Sequence, residues 1–422
     1  MNIVKMEEVC QFINGGSWSE KEYVNYGIPV LKVSNCKNNK FQIEDINYLP
    51  FTLRQKYAKN KLSKGDVIIA TVGSHPNLIE SSAGRSVVVN SLVDGFYLNQ
   101  NAVCLRTKNS DILDQVYLGY LCRERNFVHY IQNKGRGAAN QMRIAISSIK
   151  EYEFNLPSIY EQRQLANILL AYDDLIENNQ KQIKFLEEAA QRLYKEWFID
   201  LRFPGHENVE IVDGVPRGWT RKTVLDCLET YIGGGWGKED VTSKNTIAGK
   251  VIRGTDINDI KSGIFTGIPL RYHTENDKKK RTLKKNDIVF ELSNGNIDNI
   301  GRSLLIDELI LNNCGENTIC ASFCKLFRPL DKLHSLLLYL EILDMNSSGR
   351  MLPYKKQGSN GINNFAFEDF LLHELLIPSD YKMVAFIDTI MSKIMVARSQ
   401  LALLQEARDR LLPKLMSGEI EV

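Results

Sequence analysis

Apolar residues along the chain follow two different periods, and each period predicts a different kind of element. Short β-branched runs, such as DVIIATV (66–72), SVVVN (86–90) and DIVFEL (287–292), are separated by Gly, Asn and Ser. Runs of this length between turn-forming residues are typical of buried strands. Each half of the chain is therefore predicted to begin as a mixed α/β globular domain.

Each half ends in a longer pattern with helical spacing. In the first half, Ser158 and Glu161 have the spacing of a capping box, in which two side chains satisfy backbone donors at a helix start. Phe203-Pro204-Gly205 is expected to end this helix, because proline cannot continue it and glycine suits its exit. Between them lies a two-row heptad seam, formed by Leu169, Ile176, Ile183, Ala190 and Trp197 with Tyr172, Asn179, Leu186 and Leu193.

The second helical pattern carries a similar seam, and Pro413 is expected to break or kink it. Its rows are Ile387, Ile394 and Leu401 with Ile390, Ala397, Leu404 and Leu411. The simplest way to bury both seams is an antiparallel coiled coil of the two helices, in which Asn179 could fix the register. The alternative is that each helix packs flat on its own domain. The residues expected to pair the helices are Ile176, Ile183, Leu186, Leu193, Ile394, Leu401 and Leu404.

The two halves also resemble each other in sequence, in an unchanged order of segments. INGGSWSEK (13–21) matches IGGGWGKED (232–240), and KLSKGDVIIATVGS (61–74) matches TLKKNDIVFELSNG (282–295). GRSVVV (84–89) matches GRSLLI (301–306), and KGRGAANQMRIAI before NLPSIY matches KQGSNGINNFAF before LIPSDY. Self-similarity of this kind indicates an internal duplication. The predicted fold class is α+β, with two similar domains, two long helices and a pseudo-twofold internal repeat.

The glycine-rich segment YIGGGWGKED (231–240) superficially resembles a phosphate-binding loop. Such a loop needs Gly, four residues and then Gly-Lys-Ser/Thr. Here Ile232 stands at the first Gly position, and Glu239 stands where a hydroxyl should bind Mg²⁺. The first copy has Gly15-Gly16 without Gly-Lys, so nucleotide binding does not explain this segment.

Composition is that of an ordinary globular protein. The 422 residues carry a net charge of +2, and the eight cysteines never fall as Cys-x-x-Cys, so reduced, buried thiols are expected rather than a zinc site. No apolar run is long enough to span a bilayer, and the first ten residues do not resemble a signal peptide, which favours a cytoplasmic protein. A weak net charge gives little support for nucleic-acid binding by itself.

Catalytic motifs are lacking in the sequence. The chain has no Pro-Pro dipeptide of the kind found in DNA adenine methyltransferases, and His206-Glu207 and His373-Glu374 lack the second His of a zinc-protease helix. Gly15-x-Ser17-x-Ser19 lacks the last Gly of a nucleophile elbow. Two similar non-catalytic domains on a helical spacer suit a two-point binding protein.

The order of these segments resembles that of the specificity subunit of a type I restriction-modification system, over nearly the full chain. LPSIYEQRQLANILLAYDDLIENNQKQIKFLEEAAQRLYKEWF (156–198) is similar to the family's central helix, and QEARDRLLPKLMSGEIEV (405–422) to its terminal one. The Gly-Gly opening and KGDVIIATVGS (64–74) resemble the start of a target-recognition domain, although Asn286 replaces the Gly before Asp287. The resemblance implies target-recognition domains at 1–158 and 204–378 and conserved spacer helices at 159–203 and 379–422.

The resemblance further implies a non-catalytic subunit that reads a bipartite, asymmetric site in double-stranded DNA, one half per domain. The partners would be two methyltransferase subunits on the helices and motor-nuclease subunits. This chain would hold no cofactor or metal, and S-adenosylmethionine, ATP and Mg would be bound by the partners. The alternatives are a coiled-coil scaffold that binds proteins without DNA specificity, and an enzyme with an unrecognised site.

Candidate DNA contacts are residues that can pair with base edges or phosphates from loops. In the first half these are Ser74, His75, Asn77, Lys134, Arg136, Asn140, Gln141 and Arg143. In the second half they are Ser293, Asn294, Asn296, Lys355, Lys356, Gln357, Asn360 and Asn363, with Lys278, Lys279, Lys280 and Arg281 expected on phosphates. For any one of these residues, an ordinary solvated loop is the alternative.

Overall fold

Internal contacts divide the chain into two units, and each unit draws on segments from two long helices. The computed structural model describes residues 2–37, 40–73, 83–136, 142–358 and 361–421. Unit 1 comprises Met1–Asp174 and Glu406–Val422, and unit 2 comprises Leu175–Gln405. Two helices contribute to both units, and we call Ile159–Tyr194 the first long helix and Lys382–Ser417 the second long helix. Among the described residues, no helix has both the length and the apolar character needed to cross a lipid bilayer.

Unit 1 is built around a four-stranded antiparallel sheet beside smaller sheets. The four strands are, in spatial order, Cys10–Asn14, Ala102–Thr107, Val67–Ala70 and Ser86–Val88. A three-stranded sheet follows the order Tyr97–Leu98, Ile28–Leu31 and Asn47–Leu49, and the pairs are Ile3–Lys5 with Glu153–Asn155, Val72–Gly73 with Met142–Arg143, and Cys36–Lys37 with Lys40–Phe41. The shorter helices are Met6–Val9, Gln115–Leu121, Arg125–Asn133 and Ile146–Lys150.

Unit 2 repeats this topology. Its four-stranded sheet has the order Leu228–Gly233, Cys324–Pro329, Ile288–Glu291 and Ser303–Leu305. The three-stranded sheets are Ile319–Cys320, Ile247–Ile252 and Leu270–His273, and Ser293–Asn294, Asn363–Phe365 and Lys355–Lys356. The pairs are Trp219–Thr223 with Glu374–Pro378 and Ile211–Val212 with Val215–Pro216, and the shorter helices are Ile257–Lys261, Glu275–Arg281, Glu308–Cys314, Lys332–Ser348 and Phe367–Leu371. The matching strand orders confirm the α+β fold with an internal repeat.

An ion pair between a buried carboxylate and a partly exposed arginine recurs at the same place in each four-stranded sheet. Arg106 donates through Nε to Asp66 Oδ1 at 2.7 Å and through Nη2 to Oδ2 at 2.6 Å. Arg328 makes the same fork to Asp287, at 2.9 and 2.7 Å. Burial raises the pKa of Asp287, and the bonds from Arg328 oppose that rise. The preceding residue, Asn286, has φ 71°, a left-handed conformation that Asn tolerates, so it can stand where the first copy has a Gly.

The paired glycines are required by close backbone approach. A Cβ on Gly15 would lie 1.9 Å from the carbonyl oxygen of Asn99, and one on Gly234 would lie 2.1 Å from that of Ala321. Gly234 N donates to Cys324 O at 2.9 Å, as Gly15 N does to Ala102 O at 3.0 Å. Close packing against backbone at the edge of a sheet therefore explains the paired glycines without a phosphate loop.

The seam residues of the two long helices meet in unit 2, where Ile176, Ile183, Ile394 and Leu401 are buried in one hydrophobic cluster. Leu186, Leu193 and Leu404 pack against that cluster and are partly buried. Arg398 bonds Glu187 across the pair at 2.5 Å. These contacts confirm the antiparallel coiled coil. Asn179 is buried but donates to Leu175 O of its own helix, at 3.0 Å.

The helices also pair in unit 1, where Arg408 donates to Asp173 at 3.0 Å. The predicted capping box is present, since Ser158 N donates to Glu161 Oε2 at 2.8 Å and Glu161 N donates to Ser158 Oγ at 3.3 Å. Of the two expected effects of Pro413, a break or a kink, the break does not occur, because the helix continues to Ser417. Apolar residues on both sides of Pro413 pack on the core of unit 1, which offsets the lost backbone bond.

Candidate nucleic-acid interface

In unit 1 two of the candidate base-reading residues, Arg136 and Arg143, lie on a short β-ribbon. The strand Met142–Arg143 pairs antiparallel with Val72–Gly73. Arg136 and Arg143 exchange backbone hydrogen bonds at 2.9 and 2.8 Å, which brings Arg136 alongside the strand Met142–Arg143. Both arginine side chains are exposed, as is Lys134. Ser74, His75, Asn77, Asn140 and Gln141 lie outside the described residues.

Unit 2 has the same ribbon with one added strand. Asn363–Phe365 pairs with Ser293–Asn294 on one side and with Lys355–Lys356 on the other. The registers make Asn364 the counterpart of Arg143, because both face the first residue of the paired strand. Lys356 is likewise the counterpart of Arg136. Part of the candidate set therefore lies on a ribbon in each unit. In unit 1 these residues are Arg136 and Arg143, and in unit 2 they are Ser293, Asn294, Lys355, Lys356 and Asn363.

Several of the candidate amides are already engaged within unit 2. Asn363 Nδ2 donates to Gly295 O at 2.9 Å, and Asn294 Nδ2 donates to Glu291 Oε1 at 2.7 Å. Asn296 Oδ1 accepts from Asp298 N at 3.0 Å. These bonds hold the 293–299 turn in one shape, so these side chains position the loop.

The other described candidates in unit 2 differ in exposure, and among them Lys356 and Gln357 are exposed. Ser293 Oγ donates to Asn364 Oδ1 at 2.8 Å. Lys356 forms an exposed ion pair with Asp369 at 3.4 Å, and Gln357 is exposed. Partial burial lowers the pKa of Lys355, and Asp298 opposes that effect. Asn360 lies outside the described residues.

The basic run 278–281 forms the last turn of the helix Glu275–Arg281. Cations favour this end of a helix because the carbonyl dipoles point toward them. Lys278, Lys279 and Lys280 are exposed. Arg281 differs, because it is ion-paired with Asp277 and donates through Nε to Gly233 O at 2.9 Å. Three lysines are therefore free to meet phosphates, while Arg281 fastens the basic turn to the glycine segment.

A groove of about 630 Å³ in unit 2 was not foreseen from the sequence. Exposed aromatic side chains stand on its rim, with Trp236 40 % and Phe323 60 % exposed. The guanidinium of Arg271 lies 4.9 Å from the Trp236 ring centre, a cation–π contact that holds the indole. Polar residues complete the lining, and they include Arg253, Thr255, Glu291, Ser293, Asn294 and Ser322.

The groove has a buried carboxylate at its base. Glu291 is 2 % exposed and accepts from Arg302 Nε at 2.8 Å. A Cβ on Gly254 would lie 2.0 Å from Glu291 Oε1, so the carboxylate fits only because residue 254 has no side chain. The sequence drew attention to one part of this groove, the recurring glycine segment that ends in Trp236. The other lining residues come from turns that are distant in sequence, so the groove itself was not predicted.

No cluster of three or more His, Cys, Asp or Glu side chains that could hold a metal ion occurs in the described parts of the chain. His373 belongs to one of the two His-Glu dipeptides noted in the sequence. Its Nε2 forms a hydrogen bond with Oε1 of the buried Glu341 at 2.8 Å. That carboxylate also accepts from Tyr194 at 2.7 Å and Arg350 at 2.8 Å. The cluster joins the first long helix to the helix Lys332–Ser348.

Comparisons with known proteins agree with this arrangement. Residues 1–188 match the family model described as type I restriction modification DNA specificity domain. The MjaIX specificity subunit of Methanocaldococcus jannaschii is 26 % identical over 329 residues, 72 % of this chain and 69 % of the relative. The StySPI specificity subunit of Salmonella potsdam is 21 % identical, and the alignment covers 98 % of this chain and 87 % of that subunit.

A solved structure shares the fold. The S subunit of a type I restriction-modification system from M. genitalium aligns with a TM-score of 0.55 at 14 % identity, over 98 % of this chain and 95 % of that one. Together with the family match, this confirms the resemblance that the sequence motifs indicated.

Proposed function

We propose that this type I restriction-modification specificity subunit recognises a bipartite, asymmetric site in double-stranded DNA, with each of its two similar halves reading one half-site. The repeat carries the proposal, because the same strand order occurs twice and the same ribbon bears different side chains in each copy. The relatives are named as specificity subunits of restriction enzymes, which makes this chain a recognition component and not the catalyst.

The recognition domains would span 1–158 and 204–378, with spacer helices at 159–203 and 379–422. The observed bounds of the long helices, Ile159–Tyr194 and Lys382–Ser417, support this division. A helix of 36 residues is about 54 Å long at 1.5 Å per residue. We propose that the paired helices act as a rigid spacer that sets the distance between half-sites. Half-sites on one face of DNA lie one helical turn, roughly 34 Å, or a multiple of it apart.

The helices would also dock the catalytic partners. Large apolar side chains remain exposed on both helices, a feature that marks protein contact sites. They are Leu175, Phe185, Phe386, Val396 and Leu403. The proposed partners are two methyltransferase subunits, joined by motor-nuclease subunits for cleavage. S-adenosylmethionine, ATP and Mg would act on those partners, and this chain would supply the DNA sequence preference.

Base contacts would come from the ribbon in each unit. Arg143 and Arg136 can form paired hydrogen bonds with guanine, and Gln357 can do so with adenine. Lys278, Lys279 and Lys280 would neutralise phosphates, which makes binding sensitive to salt. A coiled-coil scaffold without DNA recognition is less well supported, because it does not account for the family match over the first domain.

Substitution in each ribbon tests the proposal. The modification complex is assembled with Arg143→Ala or Gln357→Ala, and its methylation of a random DNA library is sequenced. Each substitution should relax one half-site only, and a different one, because the two residues lie in different units. Lys184→Ala, on the exposed face of the first long helix, is the matched control and should leave both half-sites unchanged. Unchanged specificity in both variants would remove this placement.

A further inference from the structure

We propose that the groove of unit 2 is the surface through which this unit reads bases, and that Phe323 contacts the methyl group of a thymine in its half-site. This inference rests on the proposed function and deepens it. The two units are copies of one fold, so their equivalent positions can be compared. Residues that are the same in both copies are expected to maintain the fold, and residues that differ are candidates for recognition.

Positions retained in both copies maintain the framework. They include the Asp66–Arg106 and Asp287–Arg328 ion pairs and the glycines that meet a backbone carbonyl. All of these positions are buried or packed against backbone. Retention is therefore explained by folding alone, and it carries no information about DNA.

The positions that changed lie together around the groove. Backbone pairing fixes the equivalences: Leu292 N donates to Phe323 O at 2.9 Å, as Thr71 N donates to Asn101 O at 2.8 Å. Phe323 therefore stands where unit 1 has Asn101. The same pairing gives the other equivalences around the groove. Trp236 stands where unit 1 has Ser17, Gly254 where it has Val33, and Glu291 where it has Ala70.

The change from polar to aromatic side chains indicates the chemistry of what the groove binds. Ser17 and Asn101 are polar and exposed in unit 1, whereas Trp236 and Phe323 present aromatic surface to solvent in unit 2. An exposed phenyl group contributes nothing to the core of a domain, and here it borders a largely apolar groove that also carries polar side chains. In the major groove of DNA, the 5-methyl group of thymine is the apolar feature that a protein can read.

The aromatic rim is held in place and lies next to positive charge. Phe323 sits in a turn closed by Cys324 N donating to Ala321 O at 2.8 Å. Arg281 bonds the carbonyl of Gly233, three residues before Trp236, and so places Lys278–Lys280 beside the glycine segment. Basic side chains beside a base-reading groove suit a duplex, since phosphates flank the base edges on both strands.

The test uses the assembled modification complex and duplexes that carry its methylated motif. Each thymine of both half-sites is replaced in turn by deoxyuridine, which removes only the 5-methyl group, and relative affinity is measured by competition. The wild-type complex should lose about fourfold at one thymine of one half-site, the value of one buried methyl group. With Phe323→Ala, thymine and uracil at that position should bind equally.

Two further variants separate a contact from a folding effect. Phe323→Leu keeps an apolar side chain and should retain most of the thymine preference. Phe51→Ala removes an exposed phenyl group from unit 1, 50 % exposed against 60 % for Phe323, and should leave this preference unchanged. A thymine preference that survives Phe323→Ala, or a motif in which no thymine shows a methyl effect, would overturn the inference. A wild-type complex without any sequence preference would instead overturn the proposed function.

Discussion

The contact between Gly254 and Glu291 predicts a strong energetic coupling between two residues far apart in sequence. In unit 1 the equivalent positions hold Val33 and Ala70, a large side chain beside a small one. In unit 2 the sizes are exchanged, since a Cβ on residue 254 would lie 2.0 Å from Oε1 and 2.2 Å from Cδ of Glu291. A valine at 254 is therefore compatible with alanine at 291 and not with glutamate.

Gly254→Val should destabilise unit 2 by about 1–3 kcal/mol, the usual cost of overpacking a filled site. Glu291 cannot easily swing away, because it is 2 % exposed and bonded to Arg302 and Asn294. Glu291→Ala alone should cost about 2 kcal/mol or more, because Arg302 loses its partner in a partly buried site. In the Glu291→Ala background the added cost of Gly254→Val should fall to near zero, which is a coupling of at least about 1 kcal/mol.

The coupling is measured by urea denaturation of the full chain, wild type, both single variants and the double variant. Gly233→Val is the matched control, because no atom lies within 4 Å of a Cβ at that position. Its free energy of unfolding should stay within about 0.5 kcal/mol of wild type. Additive single effects in the double variant would show that the two positions do not compete for the same space, and would refute the reasoning.

Other parts of the fold give sharp expectations. Gly234→Ala should lower the free energy of unfolding by about 1–3 kcal/mol through its carbonyl clash, while Gly233→Ala should be near neutral in the same denaturation assay. Ile183→Ala, at the buried seam, should cost about 2–5 kcal/mol, whereas exposed Phe185→Ala should cost under about 0.5 kcal/mol. All eight cysteines are buried, and burial raises the pKa of Cys10 to about 12, so a thiol reagent at pH 8 should label the native chain slowly and all eight sites after denaturation. Rapid labelling of the native chain would contradict this burial.

Much of the fold was predictable because its signals are local or periodic. The seven-residue spacing of Ile176 and Ile183 needs only the geometry of a helix, and the capping box at Ser158 involves residues three apart. The repeat was also readable, since two copies of a strand keep the same pattern of apolar residues. Asn286 shows how a local departure is absorbed, because Asn can adopt the left-handed conformation that the turn requires.

The candidate site was less predictable, because it depends on contacts between distant residues. Trp236 and Phe323 approach the same groove from segments 87 positions apart. The charge of Arg281 suggested a phosphate contact, yet a neighbouring carboxylate and a carbonyl engage it. Pro413 reads locally as a helix breaker, whereas packing of the residues beyond it keeps the helix intact.

The most direct test of the central claim is base-modification sequencing of genomic DNA from the host, with and without this gene. We expect a split, asymmetric methylated motif that is present with the gene, absent without it, and restored by a plasmid copy. The motif should have two short halves separated by an unspecified spacer, with their centres roughly 10 bp or one further turn apart. A methylation pattern that is identical in both strains while the partner subunits are expressed would contradict the account.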